Sequence, residues 1–124
     1  LLDRADVLVL SSDYEGVPAV VPEALAAGRP IATTDCCVSM RWLLQDGAFG
    51  VLAPVRNAEA LGEAMARAVI LPTEQSAMHE FATLFTLGKA APAYLAAMQA
   101  LVGEVAGTRR IGSPGKSADE IAPC

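Results

Sequence analysis

The 124-residue sequence predicts an α/β fold: a parallel sheet with flanking helices, followed by C-terminal helices. Three observations carry that expectation. Short apolar runs alternate with helix-length segments in the order strand-helix-strand-helix-strand-helix, the pattern of a parallel sheet covered on both faces. The first run, Ala5–Leu10 (ADVLVL), is almost continuously apolar, as strands buried on both faces are. Hydrophobic residues make up 53% of the chain and many are alanine, which favours a packed, helix-rich core over disorder.

Each element has local signals. Ala5–Leu10 ends at Ser11, Ser12 and Asp13, and Asp13–Gly16 reads as a loop. Val17–Ala27 reads as a helix whose prolines, Pro18 and Pro22, fall near the first turn, where a missing N–H costs least. Gly28 stands at the C′ position and Pro30 blocks continuation. Pro30–Thr34 is a second strand and Asp35–Val38 a loop. Ser39 is placed to cap a helix that runs to about Asp46 and closes at Gly47. Phe49–Ala53 is a third strand, ending at Pro54. Asn57 is placed to cap the next helix, with Glu59 in its first turn and Arg67 in its last, both suited to the helix dipole. Leu61, Met65, Ala68 and Val69 would form its apolar face. Two further helices are expected over 74–87 and 89–103. In the second, Ala91, Tyr94, Leu95, Met98, Leu101 and Val102 form an apolar stripe. Residues 1–103 read as one domain and the polar, Gly/Pro-containing stretch 104–124 as a disordered tail.

Composition narrows the function classes. The net charge of −5 and the 5% aromatic content argue against a nucleic-acid partner, because phosphate backbones would be repelled and stacking surfaces are scarce. The three cysteines, Cys36, Cys37 and Cys124, show neither metal-ligand spacing nor an even disulfide count, which suggests a reducing, cytoplasmic compartment. No apolar run approaches a membrane span. The chain starts at Leu1, without methionine and just ahead of a strand, so a missing N-terminal portion is expected.

The segment Ser11–Gly28 (SSDYEGVPAVVPEALAAG) carries the chemistry. In parallel sheets of this kind, ligands bind at the carboxyl edge of the strands, where the strand-to-helix loops meet. Glu15 lies in such a loop and Glu23 one to two turns into the following helix, so both are expected at that edge, with Gly16 between them and one cleft shared. An ionised carboxylate accepts from two vicinal hydroxyls, as a hexose or ribose offers. Gly16 lets backbone approach a ligand closely. The N–H groups around Gly16, Val17 and Ala19 open a helix, where phosphate is attracted. These features favour a sugar-nucleotide.

The run E-G-V-P-A-V-V-P-E-A-L-A-A-G-R-P-I-A-T-T-D resembles the E-x7-E segment of family-four (group 1) glycosyltransferases. The following D-C-C-V-S-M-R-W-L-L-Q-D-G-A-F-G-V-L-A-P is similar to that family's loop, helix and glycine-spaced strand. The resemblance covers about Ala5 to Val69. It implies a Rossmann-like sheet forming part of the C-terminal, donor-binding domain of a GT-B fold. It also implies transfer of a hexose from a nucleotide sugar (UDP-, GDP- or ADP-linked) to a sugar or lipid-linked acceptor, with retention at the anomeric carbon. By that resemblance Glu15 contacts the donor sugar and takes the catalytic role. Glu23 binds the ribose hydroxyls, and the backbone of Gly16, Val17 and Pro18 lies along the sugar and diphosphate. No metal or other cofactor is implied. The expected setting is polysaccharide, glycolipid or glycoconjugate synthesis in the cytoplasm, with peripheral association of the full-length enzyme at the inner membrane face. The family's diphosphate-binding basic pair and its acceptor domain lie upstream of the matched region, so the 124 residues alone are expected to be inactive.

Two other readings stand beside this one. The chain would be a non-catalytic remnant or interaction module of the same fold, or a nucleotide-sugar epimerase of the same fold class, although the histidine pattern of the latter is missing. His79 falls in a polar helical stretch and reads as a surface residue. Asp35 suits turn capping, Arg41 a surface position, Trp42 helix packing, and Cys36 and Cys37 packing or a loop position rather than reaction, since a bridge between adjacent cysteines is strained. Arg109 and Arg110 read as solvated.

Overall fold

The computed structural model describes residues 2–108. One turn of 3-10 helix, Leu2–Arg4, precedes β1 (Leu8–Leu10). There follow α1 (Val20–Ala26), β2 (Ile31–Thr34), α2 (Met40–Leu43), β3 (Gly50–Ala53), α3 (Ala58–Val69), α4 (Gln75–Ala82) and α5 (Leu87–Thr108). The three strands form a parallel sheet in the order β1-β2-β3, with Leu8 opposite Ile31 and Ile31 opposite Gly50. This is the expected α/β, Rossmann-like arrangement of a parallel sheet between helices.

Side chains alternate across the sheet, so each strand feeds two cores. On one face Ala32, Val51 and Ala53 meet Ala64 and Ala68 of α3. Small residues on both sides let the helix lie close over β2 and β3. On the other face Ile31 and Phe49 pack with Val21, Leu25, Met40, Leu43, Leu44 and Met78, contributed by α1, α2 with the turn after it, and α4. α1 and α4 pack directly together. Trp42 meets Phe81 and Phe85 at ring-centroid distances of 5.1 and 5.8 Å, edge-on or tilted. Trp42 is thus a packing residue that stays half-exposed.

Several elements differ from expectation for physical reasons. β1 is half-exposed rather than buried on both faces; Val9 is 37% exposed, because the strand pairs on one side only among the described strands. Ala5–Val7 precede the strand instead of belonging to it. α1 begins at Val20, not Val17, since the Pro18 carbonyl closes a turn onto Val21 N–H before the helix proper. Gly28, at φ 65°, ends α1 in the left-handed conformation expected of a C′ glycine. Ser39 occupies the position before α2 but makes no side-chain cap, and α2 stops at Leu43; a separate 3-10 turn follows at Gln45–Gly47. Asn57 does cap α3, its Oδ1 accepting from Ala60 N–H at 3.0 Å. The buried face of α3 is Ala64 and Ala68, whereas Met65 and Val69 are 39% and 54% exposed. The expected 74–87 helix is α4, a 3-10 turn over Thr83–Phe85 and an extended Thr86.

The chain divides into two compact units after Lys89. α5 begins at Leu87 and continues to Thr108, past the expected end at Gly103. Its stripe of Tyr94, Leu95, Met98, Leu101 and Val102 is exposed. The remainder of the expected tail, with Arg109, Arg110 and Cys124, lies outside the described residues.

Candidate functional site

Parallel pairing brings the ends of all three strands to one edge, and the loops that follow Leu10, Thr34 and Ala53 meet there. Backbone and hydroxyl hydrogen bonds fasten these loops together. The buried Thr34 hydroxyl donates to the Ser12 carbonyl, tying the first loop to the end of β2. Asp35 N–H donates to Ala53 O at 2.8 Å, tying the second loop to β3. Glu15 N–H points to Cys36 O at 3.4 Å, and Ser39 Oγ donates to Gly16 O at 3.4 Å. The acidic loop is therefore held by the loop after β2, not by its own helix.

Within the acidic loop, Ser12 Oγ donates to Glu15 Oε1 at 2.7 Å, which orients a half-buried carboxylate while leaving lone pairs for further donors. Gly16 is exposed, and a Cβ built on it would meet nothing within 4 Å, so the glycine leaves a gap that is open to solvent. Val17 is 65% exposed and Pro18 is buried. Glu23 lies on α1 in its first turn, where a carboxylate suits the helix dipole. It is exposed and lines a groove of about 700 Å³ with Leu2, Asp3, Val20, Ala26 and Ala27. Glu15 does not line that groove. The structure thus gathers Glu15, Gly16 and the Cys36–Ser39 loop, while Glu23 faces a separate depression, so the single cleft expected for the two glutamates is not formed.

Sequence reasoning missed a crevice at the same edge. About 270 Å³ in volume, it is lined by Ser11, Asp13, Thr34, Arg56, Asn57 and Leu61, so the end of β2 and the loops after β1 and β3 contribute. Arg56 Nε donates to Asp13 Oδ2 at 2.8 Å across 43 residues of sequence. The hydrogen bond that Arg56 donates to Asp13, and the Asp13 charge, hold the Arg56 guanidinium pKa above its usual value. Arg56 also adopts φ 57°, an uncommon conformation for a residue with a Cβ. No local window signals this pair, although Asp13 after one apolar run and Arg56 after another each sit where site residues are expected. Asp35, placed at the end of β2, accepts from Arg41 at 2.6 Å as an exposed ion pair. Cys36 is buried and Cys37 partly buried, and both are free thiols. Burial pushes the Cys36 thiol pKa up. Among the described residues no group of three or more His, Cys, Asp and Glu side chains is placed to hold a metal ion. No described helix is long and apolar enough to cross a membrane.

A family model described as glycosyl transferases group 1 matches residues 1–70. The chain belongs to this family. The match runs from the first turn of the chain through α3 and includes every loop at the carboxyl edge. Over 87 residues, 66% of its length, the chain is also 33% identical to an exopolysaccharide phosphotransferase of Streptomyces coelicolor. It spans only 9% of that protein. No solved structure matches. In this group 1 glycosyltransferase family member the matched region holds the three-strand sheet, its loops and α1 to α3, whereas α4 and α5 follow it.

Proposed function

We propose that this chain supplies the donor-binding part of a glycosyltransferase that moves a hexose from a nucleotide sugar to a sugar or lipid-linked acceptor, with retention at the anomeric carbon. Residues 1–103 form the donor-binding body in this reading. Glu15 contacts the donor sugar and stabilises the charge that develops as the diphosphate leaves. The backbone of Gly16, Val17 and Pro18 lies along sugar and diphosphate, and Glu23 takes the ribose hydroxyls. The acceptor is a growing polysaccharide, glycolipid or glycoconjugate, and the reaction occurs in the cytoplasm, at the inner membrane face. The name of the Streptomyces relative, an exopolysaccharide phosphotransferase, supports a role in polysaccharide synthesis.

The observation that carries the proposal is the Glu15 carboxylate, oriented by Ser12 beside the open Gly16 at the carboxyl edge of a parallel sheet. Glu15 and Glu23 do not flank a shared cleft as acid and nucleophile would, so a hydrolase-type carboxylate pair is not part of the mechanism. In this reading Glu15 and Glu23 take different parts of one donor, since a nucleotide sugar carries hydroxyls at both ends.

Calorimetric titration of the chain with UDP-, GDP- and ADP-hexoses tests the proposal. One of them should bind, and Glu15→Gln should weaken it by about 10- to 100-fold, since a charge-assisted hydrogen bond contributes roughly 1.5–3 kcal/mol. Equal affinity in wild type and Glu15→Gln would remove Glu15 from the site. An interaction module is the second reading, favoured by the half-exposed β1 with Val9 37% exposed. It predicts association of the chain without donor affinity.

A further inference from the structure

Cys36 and Cys37 are adjacent at the loop that holds the acidic loop. Cys36 belongs to the buried core and Cys37 packs against the same core from a partly exposed position. Both side chains pack against that one core, and burial first, then the neighbouring Cys37, pushes the Cys36 thiol pKa up. The loop's polar groups are committed to fastening. Cys36 O faces Glu15 N–H at 3.4 Å, Cys36 N–H donates to Thr34 O at 2.8 Å, and Cys37 O accepts from Met40 N–H at 3.1 Å. Cys37 Sγ lies 3.2 Å from Ser39 Oγ, and Ser39 Oγ in turn donates to Gly16 O at 3.4 Å. Cys36 thus supplies one fastening of the Glu15–Gly16 backbone directly, and Cys37 touches the Ser39 hydroxyl that supplies the other.

We propose that Cys36 and Cys37 form a dithiol oxidation site whose closure to a vicinal disulfide releases the acidic loop from the loop after β2. The oxidant is a low-molecular-weight disulfide such as glutathione disulfide. The Cys37 thiolate attacks one of its sulfurs, the sulfur–sulfur bond of the oxidant breaks, a mixed disulfide forms on Cys37 and one glutathione thiolate leaves. The Cys36 thiolate then attacks the Cys37 sulfur, the mixed disulfide breaks and the second glutathione leaves. The two thiol protons go to the two departing thiolates, and two electrons pass from the protein to the oxidant. Cys37, the more accessible, is the attacking thiol. Burial keeps Cys36 protonated, so its attack is the slower step.

Release follows from geometry. Adjacent Cα atoms are about 3.8 Å apart across a trans peptide, shorter than the ~4.4–6.8 Å that disulfides span without strain. Closure therefore rotates the backbone at Cys36 and Cys37, the place where the contacts to Glu15, Thr34 and Met40 are made. The same strain makes the bond readily reducible, so closure requires an excess of the oxidant and reverses once that excess is removed. The inference needs no ligand at Glu15 and stands or falls apart from the donor-binding reading.

The test uses the 124-residue chain carrying Cys124→Ser, so that only the adjacent pair remains. The chain is incubated under native conditions with glutathione disulfide, then analysed by peptide mass mapping and amide hydrogen exchange. A bond between Cys36 and Cys37, lighter by two hydrogens, is expected, with severalfold faster exchange at Glu15, whose N–H faces Cys36 O, and reversal by dithiothreitol. Cys37→Ser, which spares the buried Cys36, should show neither effect. A pair that stays reduced, one that stops at the mixed disulfide, or one that closes without faster exchange in the acidic loop would each overturn the proposal.

Discussion

Gly50→Ala tests the placement of β3, and with it the edge on which the whole site is built. Gly50 lies opposite Ile31 in the parallel ladder. A Cβ added there would come within 2.2 Å of the Ile31 carbonyl oxygen and 3.0 Å of its carbon. Both are backbone atoms, so no side chain can rotate away; β2 and β3 must separate, or the bond from Ile31 N–H to Phe49 O, now 3.1 Å, must stretch. Overpacking typically costs about 1–3 kcal/mol, and a clash with backbone belongs at the upper end. Loss of glycine's freedom in the unfolded chain offsets about 0.4–1 kcal/mol. The net expectation is a destabilisation of about 2 kcal/mol. With a urea m-value of about 1–3 kcal/mol/M for a chain of this size, the unfolding midpoint should fall by roughly 1 M at unchanged slope. A midpoint equal to or above that of wild type would show that Gly50 is not packed against Ile31 and that the register is wrong.

Three further outcomes follow from individual residues. Gly28→Ala places a Cβ at φ 65°, 3.3 Å from the Gln75 side chain and from His79 Nε2, and should cost about 1–2 kcal/mol in urea unfolding. Asn57→Ala removes the acceptor for Ala60 N–H and should cost about 1 kcal/mol, with the loss confined to α3 when followed by hydrogen exchange. Cys36, whose thiol is held neutral chiefly by burial, favours the folded state while the unfolded thiol is also neutral; that contribution is lost as pH rises through the ordinary value of 9.0 toward the raised folded value. The reduced protein should therefore lose stability more steeply with alkaline pH than Cys36→Ala does, as measured by unfolding midpoints across that range.

Much of the fold was legible because its signals are local. The apolar runs marked all three strands, Gly28 its helix end and Asn57 its helix start, each through backbone chemistry confined to a few residues. Burial was harder to read. Ala5–Leu10 looked like an interior strand, yet burial depends on neighbours that the run itself does not encode, and Val9 stands 37% exposed. On α3 the larger residues Met65 and Val69 drew attention, whereas close packing over Ala32 and Ala53 selects the small Ala64 and Ala68. Glu15 and Gly16 could be picked out by their loop. Their fastening to Cys36 and Ser39, and the pairing of Asp13 with Arg56, required the tertiary fold, because the partners are far apart in sequence. The separation of Glu23 into its own groove was hidden for a related reason. Spacing along a helix gives the direction of a side chain only once the start of the helix is known, and α1 starts at Val20 rather than Val17.

The most direct test of donor binding at the acidic loop is residue-resolved NMR of the isotopically labelled chain during titration with the nucleotide sugar that binds in calorimetry. The account predicts that the amides of Glu15, Gly16, Val17 and Glu23 shift together along one saturation curve. Shifts confined to Arg56, Asn57 and Ala58, with the Glu15 loop unmoved, would contradict it and transfer the site to the neighbouring crevice.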